Sequence, residues 1–183
     1  KLVLIAMGEG SGMTMIRQSL EGGMFDTFIG ADGMRTDKMV ASIGGANLKG
    51  KLWGTLPSAK PSPQLDKFKS MYGDGKKYKY GSPFTAQGYD AVMLIALSAQ
   101  MAGSSDRTAI RDNLRKVANA PGVVVGPGDW AKAVAAIKAG KDINYEGASG
   151  SHEFDAKGEV AGVFAEYQVE GNKLVDSAPL DIK

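Results

Sequence analysis

Apolar residues along the first part of the chain follow the pattern of a strand, a helix and a second strand. Residues 2–7 form an unbroken apolar run, which is typical of a strand covered on both faces. Met13, Ile16 and Leu20 recur at spacings of three and four, which predicts a helix that ends at a glycine pair. Residues 27–30 form the next short apolar run. This order predicts a βαβ unit.

The rest of the chain alternates between further helices and short strands. Proline and glycine repeatedly interrupt the apolar pattern, and Ser or Asp precedes three of the helical stretches. The pattern predicts, in chain order, a helix over 38–43, a strand over 52–56, a helix from Pro63, a lysine-rich loop over 73–81, a helix over 88–102 buried on most sides, a helix capped by Asp106, a strand over 123–125, a helix capped by Asp129 and a hairpin over 163–175.

Composition and charge exclude several classes of protein. The chain has 183 residues with 25 Gly and 7 Pro, and the glycines follow no triplet period, so they serve turns and not a collagen helix. No apolar run reaches the roughly 20 residues that cross a bilayer. A net charge of +2 argues against a nucleic-acid partner. With no cysteine and one histidine, His152, the sequence predicts no disulfide, no catalytic triad, no metal site and no cofactor.

The glycine loop over 8–12 imitates part of a dinucleotide-binding fingerprint. It follows a predicted strand and precedes a helix, and Asp32 ends the next strand. Met13 stands where the third glycine of the fingerprint belongs, and Glu9 would place a carboxylate beside a pyrophosphate. The position of the loop still predicts that it lies near a ligand, because residues just past the carboxyl ends of parallel strands line the ligand crevice of an open α/β sheet.

Asp32 allows two interpretations. A carboxylate at a strand end between Ala31 and Gly33 is well placed to pair with a cation. The same residue can instead close an Asx-type turn onto its own backbone. Spacing alone does not choose between them.

Several segments resemble the branched-chain amino-acid (Leu/Ile/Val-binding) type of periplasmic substrate-binding protein. The resemblance extends over nearly the whole chain and rests on motifs in the right order. They are 2–18 with Phe28-Ile29-Gly30-Ala31-Asp32-Gly33, then 84–97 with Gly88-Tyr89-Asp90-Ala91-Val92, then Val125-Gly126-Pro127, Asn144-Tyr145-Glu146-Gly147-Ala148-Ser149-Gly150 and Phe154-Asp155-Ala156-Lys157-Gly158-Glu159-Val160.

The resemblance implies an α/β protein with the type I periplasmic-binding-protein fold, in which two Rossmann-like lobes have parallel sheets. Because the family's chains are about twice as long, these residues correspond to a C-terminal half, and the N-terminal half is an expected partner. The expected domains are residues 1–56 in the second lobe, 57–126 in the first lobe with mostly helices, and 127–183 back in the second lobe with a terminal hairpin.

The function implied is that of the extracytoplasmic solute-binding component of an ABC importer, without catalysis. Its expected ligand is an amino acid or a similar small polar metabolite held between two hinged lobes, and its expected partner is a membrane permease. The expected location is periplasmic, or extracytoplasmic and membrane-tethered. Two alternatives stay open: a nucleotide-binding α/β enzyme domain, and a ligand-sensing regulatory domain of the same fold.

The resemblance also implies individual site residues. Asp32 corresponds to the acidic residue that receives the ligand's ammonium group, and Phe84 to an aromatic wall of the pocket. Gly8 stands where leucine-binding members have a tyrosine, which makes the neighbouring Glu9 and Ser11 candidate substitutes for its contacts.

Hinge residues follow from where the chain is expected to cross between lobes. The expected crossings lie at Leu56 and Pro57 and again at Gly126. Proline fixes its own φ and restricts the residue before it, so Gly126 is expected to absorb most of the rotation.

Overall fold

The computed structural model describes residues 1–72 and 83–181, so the predicted loop over 73–81 lies outside the described residues. Strands and helices alternate through most of the chain. The strands are β1 Leu2–Leu4, β2 Phe28–Gly30, β3 Leu52–Pro57, β4 Val123–Val125, β5 Ile143–Tyr145, β6 Val163–Glu170, β7 Lys173–Asp176 and β8 Leu180–Asp181. The α-helices are α1 Ser11–Glu21, α2 Asp37–Ile43, α3 Gly45–Leu48, α4 Pro63–Tyr72, α5 Thr85–Ala102, α6 Arg107–Ala118 and α7 Trp130–Lys138.

These elements form two compact units. Unit 1 contains Lys1–Ser58 and Val163–Asp181, and unit 2 contains Ala59–Gly162. In unit 1 the strand order is β1-β2-β3-β6-β7, with β8 paired to β6. Strands β1, β2 and β3 are parallel, whereas β6 is antiparallel to both β3 and β7. The predicted βαβ unit and the predicted hairpin are therefore present in one sheet.

The core of unit 1 lies where α1, α2 and α3 pack on the sheet. Each helix supplies a fully buried apolar residue: Ile16, Val40 and Leu48. Burial of each such side chain contributes about 1.5–3 kcal/mol. Strand β1 differs from the prediction, because it is three residues long and Val3, Ile5 and Met7 around it are exposed. The physical reason is that the helices pack on one face of the sheet, where Leu4 is buried, whereas Val3 lies beside Ile29 and Trp53 on the opposite face.

Unit 2 is built around α5 and a two-stranded parallel sheet of β4 and β5. Leu94 and Leu97 of α5 are buried in a cluster that includes residues of α6, α7 and both strands. The prediction that α5 is buried on most sides is wrong for this chain, since Val92 is 66% and Ile95 56% exposed. Among the described residues, α5 packs mainly against α6 and α7, which leaves its other side open.

Two predicted helix caps have different outcomes. The carboxylate of Asp106 accepts a hydrogen bond from the Ala109 amide at 2.9 Å, so the cap of α6 is confirmed. Asp129 does not accept a hydrogen bond from an amide of α7. Its oxygens instead accept hydrogen bonds from Lys67 Nζ at 2.7 Å and from the Gly126 amide at 3.1 Å.

The units correct the expected domain boundaries and one expected hinge. Residues 127–162 lie in unit 2 and not with the terminal hairpin, because β5 pairs with β4 and its residues are buried there. The chain crosses between units after Ser58 and after Gly162. Leu56 and Pro57 end β3, next to the first crossing, but Gly126 lies inside unit 2 at neither crossing.

No helix within residues 1–72 and 83–181 is both long enough and apolar enough to span a membrane.

Candidate functional site

Two loops of unit 1 meet at the carboxyl ends of β1 and β2. The Ala31 amide donates to the Leu4 carbonyl at 3.0 Å, and the Gly8 amide donates to the Gly33 carbonyl at 2.8 Å. The loop that follows β1 and the loop that follows β2 are thus joined backbone to backbone. This is the end of the sheet, at the carboxyl ends of its parallel strands, where the sequence predicted a ligand crevice.

Glycines allow these two loops to approach each other closely. A Cβ atom on Gly8 would contact the Thr36 side chain and lie 3.0 Å from the Met34 carbonyl oxygen. A Cβ atom on Gly12 would contact the Met34 side chain and lie 2.9 Å from the Met7 carbonyl oxygen. The glycines that imitate a nucleotide fingerprint therefore make room for the protein's own residues 34 and 36.

Asp32 opens a short 3-10 turn, Asp32–Met34, directly after β2. Its Oδ1 accepts a hydrogen bond from the Gly33 amide at 2.7 Å, so the residue does form a local turn. The side chain is exposed, and among the described residues it forms no ion pair. The second carboxylate oxygen therefore keeps its capacity to accept a hydrogen bond from a cation, and the two interpretations of Asp32 are compatible.

Glu9 lies on the neighbouring loop in a different environment. Its Oε1 accepts a hydrogen bond from the Thr36 hydroxyl at 2.9 Å, and its Oε2 pairs with Lys38 Nζ at 3.0 Å. The hydrogen bonds from Lys38 and Thr36 hold the pKa of the Glu9 carboxyl below its usual value. Both oxygens of Glu9 are thus engaged within the protein, while Ser11 nearby is exposed at the start of α1.

The loop that carries Asp32 is fixed from its far side by β7. Arg35 donates to both oxygens of Asp176, at 2.9 and 3.1 Å. Asp37 accepts a hydrogen bond from the Leu174 amide at 2.8 Å. Sequence reasoning missed these contacts, as it missed Thr36 and Lys38, because they join residues that are distant along the chain.

Phe84 lies in unit 2, immediately before α5. Its φ of +64° and ψ of +7° put a non-glycine residue in the left-handed region, which is unfavourable for a side chain that bears a Cβ atom. The residue is 43% exposed. Of the five predicted ligand-binding residues, the other four lie in unit 1, on the two loops and the start of α1 just described.

A second polar cluster lies inside unit 2. The carboxylate of Asp90 is fully buried and accepts hydrogen bonds from the Tyr145 hydroxyl and the Ser149 hydroxyl, at 2.8 and 2.6 Å, and from the amides of Ala148 and Ser149. Burial and the charge of Asp90 together raise the pKa of Tyr145. His152 Nε2 lies 3.8 Å from this carboxylate. The cluster fastens residues 145–152 to α5, and we assign it a structural role.

In the part of the chain that the structure describes, no group of three or more His, Asp or Glu side chains is arranged to hold a metal ion.

The family model described as "Receptor family ligand binding region" matches residues 1–172. The chain belongs to this family. A curated relative is 34% identical over 74 residues, which is 40% of this chain and 18% of the relative. It is the chemotactic signal transduction system substrate-binding protein BasB of Halobacterium salinarum.

Solved structures share the fold over almost all of this chain. The leucine-binding protein LivK of Thermotoga maritima is 23% identical, with a TM-score of 0.63. The branched-chain amino acid transporter substrate-binding protein LivJ of Streptococcus pneumoniae, solved with isoleucine, is 18% identical with a TM-score of 0.61. Both matches cover 98% of this chain but 44% of the solved chain, so this chain spans less than half their length. The predicted type I periplasmic-binding-protein fold is confirmed.

Proposed function

We propose that this chain takes part in binding a small zwitterionic metabolite of the amino-acid type, as a solute-binding component of an ABC importer. The observation that carries the proposal is the exposed carboxylate of Asp32, which lies at the carboxyl end of β2 with one oxygen bonded to Gly33. A ligand ammonium group is the cation that such a carboxylate would accept in a charge-assisted hydrogen bond.

Asp32 and Glu9 have different roles in this proposal. Lys38 already neutralises Glu9, so a ligand cation would gain less from approaching it. Asp32 has no such partner among the described residues, and a cation that binds there would supply the missing charge. Glu9 therefore joins the two loops, and Asp32 binds the ligand.

Phe84 is proposed to contribute an apolar surface to the ligand, as the resemblance implies. Its partial exposure and its left-handed backbone are compatible with this role, since strained residues recur at ligand contacts. A ligand position between two hinged lobes stays a prediction from the sequence.

The proposal places the protein outside the cytoplasm, where it would deliver its ligand to a permease without catalysing a reaction. A sensing role is the second candidate, because the curated relative from Halobacterium salinarum belongs to a chemotactic signal transduction system.

Titration calorimetry of the full-length protein with the twenty common amino acids tests the proposal. For an amino acid that binds, Asp32→Asn keeps the acceptor for the Gly33 amide but removes the charge, so affinity should fall by about 2–5 kcal/mol. Glu9→Gln is the matched control and should cost far less, because its charge is already paired. Equal losses in the two variants, or unchanged affinity in Asp32→Asn, would contradict the assignment of Asp32.

A further inference from the structure

A tyrosine from the C-terminal hairpin passes beneath the strand end that carries Asp32. In the sheet register, Tyr167 of β6 lies opposite Gly54 of β3, and Gly54 lies opposite Gly30 of β2. The Tyr167 side chain is fully buried, and its hydroxyl donates to the Ala31 carbonyl at 2.9 Å. The side chain thus extends from β6 across β3 to the residue that precedes Asp32.

The two glycines are required for this path. A Cβ atom on Gly54 would collide with the outer ring carbon and the hydroxyl of Tyr167, and one on Gly30 would collide with the hydroxyl. Glycine inside a strand weakens the strand, so adjacent glycines at the same level of two neighbouring strands need a packing reason. Here the Tyr167 side chain supplies that reason at both positions, and at Gly54 the Gly30 carbonyl oxygen supplies a second one.

The hydrogen bond acts on the backbone of the Asp32 turn. The Ala31 carbonyl accepts both the Tyr167 hydroxyl and the Met34 amide, which lies at 3.0 Å and closes the 3-10 turn. The hydroxyl therefore holds the peptide group from which the turn begins. Burial of Tyr167 is the main cause of its raised pKa. The negative charge of Asp32 raises this pKa further, as expected for two groups that lie close together.

We propose that Tyr167 is a positioning residue for Asp32, which sets the direction of the ligand-binding carboxylate through the Ala31 carbonyl. This inference rests on the proposed function for its effect on affinity, but its effect on the turn is independent of any ligand. A hydroxyl that only completed the core would stabilise the sheet without any particular influence on residues 31–34.

Tyr167→Phe in the full-length protein separates these roles, because it keeps the ring and removes the hydroxyl. Loss of one hydrogen bond is expected to speed amide exchange at Met34 and Gly33 by roughly three- to tenfold, with little change at Val169 on the same strand. Affinity for the amino acid that binds wild type most tightly should fall by a similar factor. Tyr145→Phe, which removes another buried tyrosine hydroxyl bond, is the matched control and should leave affinity near that of wild type.

Each outcome decides the inference. Faster exchange confined to the turn, together with weaker binding, supports it. Unchanged exchange at Met34 and Gly33, or equal acceleration throughout unit 1, overturns it, as does unchanged affinity in a protein that binds an amino acid. If wild type binds none of the twenty amino acids, the proposed function has failed as stated, and the exchange measurement still decides whether Tyr167 holds the turn.

Discussion

Asp32 and Glu9 show that the neighbours of a carboxylate decide what it can do. The two residues lie on loops that touch, yet one is paired with Lys38 and the other only closes its own turn. Sequence reasoning located Asp32, because a strand end followed by glycine is a local signal. It also named Glu9 as a ligand candidate, because the partners that engage its carboxylate, Thr36 and Lys38, lie at the start of α2, which only the fold brings near.

The backbone of Phe84 gives a prediction that separates strain from ligand contact. Phe84→Ala and Phe84→Gly both remove the ring, so both should weaken binding of an amino-acid ligand, by about 1–3 kcal/mol. Only glycine adopts a φ of +64° without strain, so the glycine variant should be more stable than the alanine variant by about 1 kcal/mol. Urea unfolding of the two variants measures this difference. An alanine variant of equal or greater stability would show that residue 84 is not held in the left-handed region.

At the scale of elements, periodicity predicted most helices and strands but missed α3, β5 and the two-residue strand β8. The four residues of α3, Gly45–Leu48, are too few to show a helical period. Strand β5, Ile143–Tyr145, has three residues, and the central one is a polar asparagine that is nonetheless buried. Because β5 was missed, its pairing with β4 was missed too, and residues 127–162 were assigned to the wrong domain.

The ion pair that joins α4 to the start of α7 predicts a component of acid sensitivity. The hydrogen bond from Lys67 lowers the pKa of Asp129 in the folded state. Its contribution to stability is therefore complete above the unfolded pKa of about 3.9 and is lost as the pH falls through the lower folded value. Asp129→Asn should consequently lose less stability than wild type between about pH 5 and pH 3.

Urea unfolding at the two pH values measures that difference. Asp66→Asn is the matched control on α4, because the Asp66 side chain is 77% exposed and lies 4.0 Å from its lysine partner. It should retain an acid dependence near that of wild type. An equal acid dependence in Asp129→Asn and wild type would mean that the contact with Lys67 contributes nothing to folding.

For the whole molecule, the sequence identified the fold through its resemblance to a family and placed the first crossing within two residues of Ser58, whereas the second crossing came only from the structure. The order of motifs was sufficient to predict the type I fold, because each motif marks a turn or a strand end that is visible in the local sequence. The crossing after Gly162 depends on which strands pair, and pairing is a long-range property. The Gly-Pro sequence at Gly126 is a local pattern that predicted a hinge. The pairing of β4 with β5 nevertheless places Gly126 inside unit 2.

A crystal structure of the full-length protein with its amino-acid ligand is the most direct test of the site. We expect the ligand's ammonium nitrogen about 3 Å from the Asp32 oxygen that does not bond Gly33, with Glu9 still paired to Lys38. A ligand whose ammonium group is bound by other residues, with Asp32 still bonded to the Gly33 amide alone, would contradict the proposed function of this loop.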